Sequence, residues 1–489
     1  ELGLLGALVP ELGAVQNLVQ RDGFHRFPVG RHSLRAARLL ARAGQAADEA
    51  EGGVAEAETP SHPLLDQAVA EAPDREILIW TGLLHDAGKG AADHEIAGES
   101  LVRAALSRMG VSPTRIADAC FLVRHHLLLM ATATRRDLGD VATSTRVAEV
   151  VGDPGRLSAL TALTVADAMA TGPVAWSGWK AVLLRELAHK VERLLRTGAL
   201  AEPLAGRQVM ERRERVRALA LSQPLHRVDA SLVESFLDAL PPDCLLRLPP
   251  QAVRRHLGLY ERYRAAYAED QQLRPGKNTG LGLTVHTARL MEAPEGSPSL
   301  WEFAVMAPDQ PRLFATLAGC ISLHGASILA ADIFTLGDGT ALDVFVAECP
   351  DDKAKSAHDW EETWAQVALS VRWAQTGKLS LDYRIAERRA SPYSRPPRGT
   401  GREPSVRIDN ELSDFFTVVE VAADDRLGRL YDIADTLADA GVWVHSAKIS
   451  THGGQILDVF MVRGPGGLKL QDDEAQERLR AALLARLGG

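Results

Sequence analysis

The feature that most limits the fold of this chain is an internal repeat near its C-terminal end. Three short motifs occur twice, in the same order and at nearly the same spacing. They are Asp309–Leu313 and Asp425–Arg429, then Gly325 and Gly441, and then Asp343–Phe345 and Asp458–Phe460. The third motif begins 34 residues after the first Asp in one copy and 33 in the other, so the copies stay in register. Each copy reads as strand, helix, strand, strand, helix, which predicts two ferredoxin-like βαββαβ domains in tandem.

The rest of the chain consists of a long helical region and two linkers. The helical region is rich in Ala, Leu and Arg with helical periodicity, which predicts an all-α domain with a helical connector. Asp74, for example, follows a proline and can cap a helix whose Ile77, Trp80 and Leu84 share one face. The acidic stretch Gly44–Pro63 is typical of a solvated loop. The predicted order is the α-helical domain over 1–275, the first repeat over 280–388, an Arg- and Pro-rich linker over 389–404, and the second repeat over 405–489.

The net charge and the cysteine pattern exclude several classes of protein. A formal net charge of −9 argues against a nucleic-acid binder that relies on a basic surface. The four cysteines lie far apart without a CxxC spacing, which is typical of a reducing compartment. We find no apolar run of about 20 residues and no charged-then-apolar leader, so we expect a cytoplasmic protein that binds no membrane. The chain begins at Glu1, as expected of a fragment or a processed product.

The dipeptide His85-Asp86 ends an apolar run and should therefore lie near a protein core. A buried carboxylate beside an imidazole is costly unless it is paired or bound to a cation. Similar helical contexts contain His32, His94, the pair His125-His126, and Asp167. A separately satisfied polar residue is the simpler interpretation of any one of them, but the whole set favours a metal site. The second such dipeptide, His358-Asp359, is interpreted as an exposed surface pair.

The residue types also indicate the chemistry. Imidazole and carboxylate ligands suit borderline divalent metal ions and leave positions open for water. One carboxylate can bridge two ions about 4 Å apart, and water bound there has a pKa of roughly 7, which suits hydrolysis of phosphate esters. Lys89 and Arg124 lie close in sequence to these ligands and could add positive charge, although each could equally be a surface cation. We therefore predict a hydrolase with divalent metal ions, two Mg²⁺ or Mn²⁺, as cofactors.

These residues resemble the HD-domain metal-dependent phosphohydrolases, and the detailed motifs resemble one family among them. The motifs are Phe24-His25, His32, Gly82–Gly90, Asp93-His94, Val123–Leu128, Arg135–Asp137, Thr164–Asp167 and Trp176–Lys180. The family is the bifunctional uridylyltransferase/uridylyl-removing enzymes, the sensors of bacterial nitrogen status. The two repeats resemble the tandem ACT domains of that family, which are small amino-acid-binding modules.

The resemblance implies a fold, a set of metal ligands and an activity. The fold is an all-α HD-phosphohydrolase domain followed by two α+β ferredoxin-like ACT domains. The implied metal ligands are His32, His85, Asp86, His94, His126 and Asp167, and the implied catalytic residues are Asp86, Lys89 and Arg124. Metal-bound hydroxide would attack the phosphorus of a PII signalling protein that carries UMP on a tyrosine, and would release UMP.

The resemblance also implies regulation by glutamine. We expect glutamine to bind the ACT domains at Asp425, Arg426 and Gly428 of the second copy and Asp309 of the first, and to promote hydrolysis. The first copy has Arg312 where ACT domains commonly have a Gly, which argues against binding there. The family begins with a nucleotidyltransferase domain that has no counterpart in this sequence, so we expect no uridylyl transfer.

Two other functions fit the same features. A hydrolase of guanosine tetraphosphate alarmones also joins an HD domain to an ACT domain. That family usually carries a synthetase and a further β-rich domain, and we find neither in this sequence. A non-catalytic glutamine-sensing protein would keep the ACT domains, but degenerate sites usually lose a His or Asp first, and the ligand set is intact here. AMP in place of UMP, the identity of the metal and the oligomeric state also stay open.

Overall fold

The chain forms two compact units, Glu1–Glu202 and Pro203–Gly489. The computed structural model describes residues 9–19, 27–44, 62–172, 175–197, 204–222, 229–273, 280, 282–291, 298–349, 357–391, 403–452 and 454–488. Most of the predicted acidic loop, most of the linker between the repeats and the Phe24-His25 motif lie outside these ranges.

In its described part the first unit is helical. A 3₁₀ turn at Pro10–Leu12 precedes α1 (Val29–Arg42), α2 (Pro63–Glu71), α3 (Arg75–Leu84), α4 (His94–Arg108), α5 (Pro113–His125), α6 (Leu128–Arg135), α7 (Val141–Val151), α8 (Pro154–Thr171) and α9 (Gly178–Thr197). As predicted, Asp74 caps α3 by accepting a hydrogen bond from the amide of Ile77 at 3.0 Å. Gly82 lets α1 and α3 approach closely, because a Cβ there would lie 2.5 Å from Cδ1 of Leu40.

Helix α8 is the central helix of this unit. Asp153 caps it, Pro154 occupies its first turn, and α1, α2 and α9 pack around it. From Ala159 to Thr171 every residue except Asp167 is buried. The apolar sequence of this helix therefore fixes one carboxylate in the centre of the unit.

The second unit consists of helices on both sides of one sheet. Its elements are α10 (Leu204–Leu221), α11 (Ala230–Ala239), α12 (Pro242–Arg247), α13 (Pro250–Leu273), β1 (Val285–Leu290), β2 (Ser299–Pro308), α14 (Leu313–Leu323), β3 (Ser327–Thr335), β4 (Thr340–Cys349), α15 (Ala357–Gln375), α16 (Leu381–Ala390), β5 (Ser405–Asp409), β6 (Thr417–Asp424), α17 (Arg429–Asp439), β7 (Trp443–Lys448), β8 (Thr451–His452), β9 (Gln455–Arg463) and α18 (Asp473–Leu487). The sheet is antiparallel in the order β1-β2-β4-β3-β7-β9-β6-β5, with β8 paired to β9. The predicted fold class, a helical HD domain followed by ferredoxin-like α+β units, is confirmed.

Two features of this unit were not apparent from the sequence. In each copy the strand that completes the four-stranded pattern, β1 or β5, comes before the first helix of the copy. The two copies also share one sheet, because β3 pairs with β7 in the register Ala330↔Lys448, Ala331↔Ala447 and Asp332↔Ser446.

Different helices pack on the two faces of the sheet. Phe345 and Ala347 on β4 point into a core shared with α14, α15 and α17, whereas Leu342 and Val344 on the same strand pack with residues of α11 and α13. The helices over 204–273, which we assigned to the first domain as a connector, thus pack against the sheet within the second unit.

One described segment, Pro113–Arg135, is long and apolar enough to cross a membrane, although half of its most apolar window is buried in the fold. It comprises α5 and α6, which are separated at His126-Leu127. Packing in the helical core accounts for the apolar composition of this segment.

Candidate metal centre

The His85-Asp86 dipeptide directly follows α3, and both side chains are buried. Nδ1 of His85 lies 2.9 Å from the carbonyl oxygen of Gly82, and Nδ1 of His126 lies 2.7 Å from that of Val123. A carbonyl oxygen only accepts, so in each ring Nδ1 carries the proton that is donated. In its neutral form each imidazole therefore presents the lone pair of Nε2, which is the form that binds a metal ion.

Two imidazole nitrogens face the same two carboxylate oxygens. Nε2 of His32 lies 3.1 Å from Nε2 of His85, 3.4 Å from Oδ2 of Asp86 and 3.0 Å from Oδ1 of Asp167. Nε2 of His85 lies 3.4 Å from each of the same two carboxylate oxygens. Ligands held about 2.0–2.2 Å from one ion lie roughly 3.0–3.6 Å apart in tetrahedral or octahedral geometry. The donor set therefore fits a divalent metal ion.

A second group of imidazoles lies beside the first. The other oxygen of Asp86, Oδ1, is 3.9 Å from Nε2 of His126. The ring of His126 lies 5.9 Å from that of His94, which begins α4 and is 28% exposed. Asp86 thus directs one oxygen to each group, the arrangement that a bridging carboxylate needs.

The two cations predicted near the ligands differ in their surroundings. Nζ of Lys89 lies 2.7 Å from Oδ2 of Asp86 and is only 10% exposed. Arg124 is about half exposed and pairs with Glu99 at 3.0 Å. His125 packs its ring against Phe121, at 4.7 Å between centroids. Of these cations, Lys89 is therefore the one in contact with the metal ligands.

The two carboxylates determine the protonation of this cluster in the absence of metal. Burial alone would lower the pKa of His85, but the charges of Asp86 and Asp167 outweigh it and raise that pKa to about 10. Burial likewise opposes ionisation of both carboxylates, and the facing imidazoles outweigh it and lower their pKa. Burial, together with the charge of His85, lowers the pKa of His126. Because ligating imidazoles must be neutral, a bound metal ion would replace the proton held here.

The part of the chain that contains the predicted ligands matches a known protein family. The HD domain profile matches residues 29–170, which contain all six predicted ligands. The first unit carries an HD domain. The profile of the ACR9-like, ACT-like domain matches residues 405–488.

The chain is also similar over its whole length to curated proteins. Bifunctional uridylyltransferase/uridylyl-removing enzymes of Phenylobacterium zucineum, Gluconobacter oxydans and Rhodospirillum rubrum are each 33% identical to it. All of the chain aligns, and it spans 48% of each relative, about half of their length. The resemblance predicted from the motifs is thereby confirmed, and the HD domain supports the predicted enzyme class, a hydrolase.

A contact beside the predicted ligand His94 was missed in the sequence, where Gly88 was interpreted as a helix stop and as part of the motif. A Cβ at Gly88 would lie 2.1 Å from the carbonyl oxygen of His94 and 2.4 Å from the amide of Gly98. The turn after His85-Asp86 therefore packs directly on the backbone of α4 and brings His94 to the site. The pair of glycines ten residues apart was the available signal.

The predicted ligand loops of the two ACT copies have the same backbone conformation. Arg312 has φ 70° and Gly428 has φ 71°, and each directly precedes the first helix of its copy. Arg312 is the only non-glycine residue with a positive φ in the described chain, a conformation that costs an L-residue roughly 1–2 kcal/mol. Its guanidinium pairs with Asp435 and Asp439 on α17, so it ties the first copy to the second.

The other residues that are predicted to bind glutamine lie on or beside these loops. The amides of Asp309 and Asp425 donate to Gly339 and Gly454 at 3.0 and 2.8 Å. Arg426 pairs with Asp432 at 3.1 Å.

Helix α16 packs on the second loop. A Cβ at Gly428 would lie 2.8 Å from Cγ2 of Ile385, and Arg389 donates to the carbonyl of Leu427 at 2.8 Å. The amides at Gly428 are therefore less open to a ligand than the sequence suggested.

Proposed function

We propose that this chain is a metal-dependent phosphodiesterase that removes UMP from a tyrosine of a uridylylated PII signalling protein. The observation that carries this proposal is that Nε2 of His32 and Nε2 of His85 lie 3.1 Å apart and each lies 3.0–3.4 Å from a carboxylate oxygen of Asp86 and of Asp167. The similarity to uridylyl-removing enzymes supplies the substrate class.

The site residues have distinct roles in this reaction. We assign His32, His85, Asp86 and Asp167 to one metal position, and His94 and His126, with Asp86 as the bridge, to a second. Divalent ions, Mg²⁺ or Mn²⁺, supply Lewis-acid activation of water and of the phosphoryl oxygens there. Lys89 holds Asp86 in place and adds positive charge close to the reacting phosphate. Tyrosine leaves as a phenolate with a pKa near 10, so the reaction needs no strong general acid. Arg124 is assigned the weaker role of attracting the substrate, since it is half exposed and already paired.

The test is incubation of the purified chain with uridylylated PII, adenylylated PII and guanosine tetraphosphate, each with Mn²⁺. We expect UMP to appear from the first substrate and to be lost with a chelator. Release of AMP alone would change the nucleotide, and turnover of the alarmone alone would replace the proposed substrate. No turnover in any assay, with metal bound, would favour the non-catalytic sensor.

We further propose that glutamine binds the second ACT copy near Asp425 and promotes hydrolysis. The turn before α17 offers backbone amides at the positive end of the helix dipole, which suits a carboxylate. Glutamine must bind the active arrangement more tightly than the inactive one if it is to regulate. Hydrolysis assays with and without glutamine test this coupling. The absence of uridylyl transfer and the cytoplasmic location stay predictions.

A further inference from the structure

One buried carboxyl in the first ACT copy has no structural partner. Asp343 lies on β4 opposite Val305 of β2, on the face of the sheet that α14 and α15 cover. It is 1% exposed, and neither of its carboxyl oxygens has a hydrogen-bond partner in the described part of the chain. Leaving such a group unsatisfied costs about 1–3 kcal/mol, and more if it is charged.

The second copy repeats this arrangement. Asp458 on β9 lies opposite Val421 of β6 and is also 1% exposed. Among the described residues, its Oδ1 accepts a hydrogen bond from the amide of Ser450 at a long 3.3 Å. Val305 and Val421 each stand four residues before the acid of the ligand loop, Asp309 or Asp425, so both copies hold the same pair of carboxyls.

In each pair the charge of the loop acid raises the pKa of the buried acid. Burial raises the pKa of Asp343 well above its ordinary value, and the charge of Asp309 raises it further. In the second copy burial and Asp425 raise the pKa of Asp458, and Arg429 opposes this. The guanidinium of Arg429 already donates to the carbonyls of Asp424 and Leu487, at 3.1 and 3.2 Å. An apolar residue would cost less at either position, so a structural role does not explain the repeated acid.

A buried carboxyl that lacks a hydrogen-bond partner in the described residues and lies near a second acid suits a cationic group. We propose that Asp343 with Asp309, and Asp458 with Asp425, each form a binding site for the ammonium group of an α-amino acid. This deepens the proposed function, since it assigns to Asp458 the ammonium end of the proposed glutamine site. The carboxylate of the ligand then faces the amides before α14 or α17. The ammonium takes the place of the proton that the acid pair holds, and that proton goes to solvent.

The test is calorimetric titration of L-glutamine, and of its desamino analogue without the ammonium group, into the full chain. We expect Asp458→Asn to weaken glutamine binding by at least about tenfold and the desamino analogue not to bind. Titrations in two buffers of different ionisation enthalpy should show release of a proton on binding, and Asp458→Asn should reduce it. Asp343→Asn tests the first copy in the same way, and a loss there shows that it binds despite Arg312.

The control is Glu348→Gln, which removes a half-buried acid from β4 on the opposite face to Asp343 and should leave binding unchanged. Wild-type binding by both Asp458→Asn and Asp343→Asn overturns the inference. If the wild type binds another L-amino acid but not glutamine, and Asp458→Asn abolishes that binding, the proposed regulator is wrong and the ammonium site stands. If none of the twenty L-amino acids binds, the inference is wrong as well.

Discussion

Asp86 faces both groups of imidazoles, since Oδ2 lies near His85 and Oδ1 near His126, and Oδ2 also pairs with Lys89. Asp86→Ala should therefore reduce hydrolysis by at least about 100-fold and lower the bound metal, with an unchanged circular dichroism spectrum. Metal analysis and the PII assay measure both effects.

The pair His125-His126 provides an internal comparison for this prediction. His126→Ala should follow Asp86→Ala, whereas His125→Ala should be much milder, because the ring of His125 packs on Phe121. Near-normal turnover of Asp86→Ala would contradict the metal mechanism.

A second prediction concerns how the buried acid Asp343 makes the stability of the folded chain depend on pH. Its pKa is raised in the folded chain, so the native state holds a proton that the unfolded chain has already lost near pH 4. The stabilisation is fully present below that pH and is lost as the pH rises towards the folded pKa. Asp343→Asn, which resembles the protonated acid, should thus unfold like the wild type at pH 4.

At pH 8 the same variant should be more stable than the wild type by about 1–3 kcal/mol. Denaturant unfolding without amino acids measures the difference. Asp473→Asn changes an exposed acid and serves as the control. A constant difference between wild type and Asp343→Asn from pH 4 to pH 8 would show that Asp343 does not titrate differently on folding.

At the scale of elements, the metal centre depends on how closely the turn after α3 approaches α4. Gly88→Ala should push the turn away from His94 and Gly98, because both contacts are with backbone. We expect activity to fall by about 10–100-fold, since misplacement by 1 Å can cost that much, and the chain to stay folded. Gly258→Ala is a matched control on α13, where a Cβ meets nothing within 4 Å. Full activity in Gly88→Ala would mean that His94 does not need this contact.

The sequence singled out Asp167 because it is a lone carboxylate in the apolar helix α8, and the structure places it 3.0 Å from His32. The set of six metal ligands stays a prediction. The sequence also predicted the register of the repeats, which the shared left-handed conformation of Arg312 and Gly428 bears out. The pairing of β3 with β7 and the packing of α16 on Gly428 depend on contacts between residues far apart in the chain. The periodicity of a sequence predicts local helices and strands but not contacts between distant residues. These two features could therefore be seen only in the structure.

At the scale of the whole molecule, metal should stabilise the first unit selectively. Ligand at about 100 times its Kd stabilises a native state by roughly 2.7 kcal/mol. Scanning calorimetry with Mn²⁺ and with a chelator should therefore move the transition of the HD domain and leave that of the second unit in place. Asp86→Ala should abolish the shift. An equal shift in both transitions would indicate metal binding elsewhere.

The pairing of β3 with β7 protects both strands from association with other chains. An edge strand exposes unpaired amides and carbonyls that can recruit other chains. In the described sheet β3 and β7 pair with each other, and β1 and β5 lie at its two ends. A single copy expressed without the other would expose a bare strand, so either half alone should self-associate or exchange strands. The duplication thus protects the protein from aggregation, independently of any ligand.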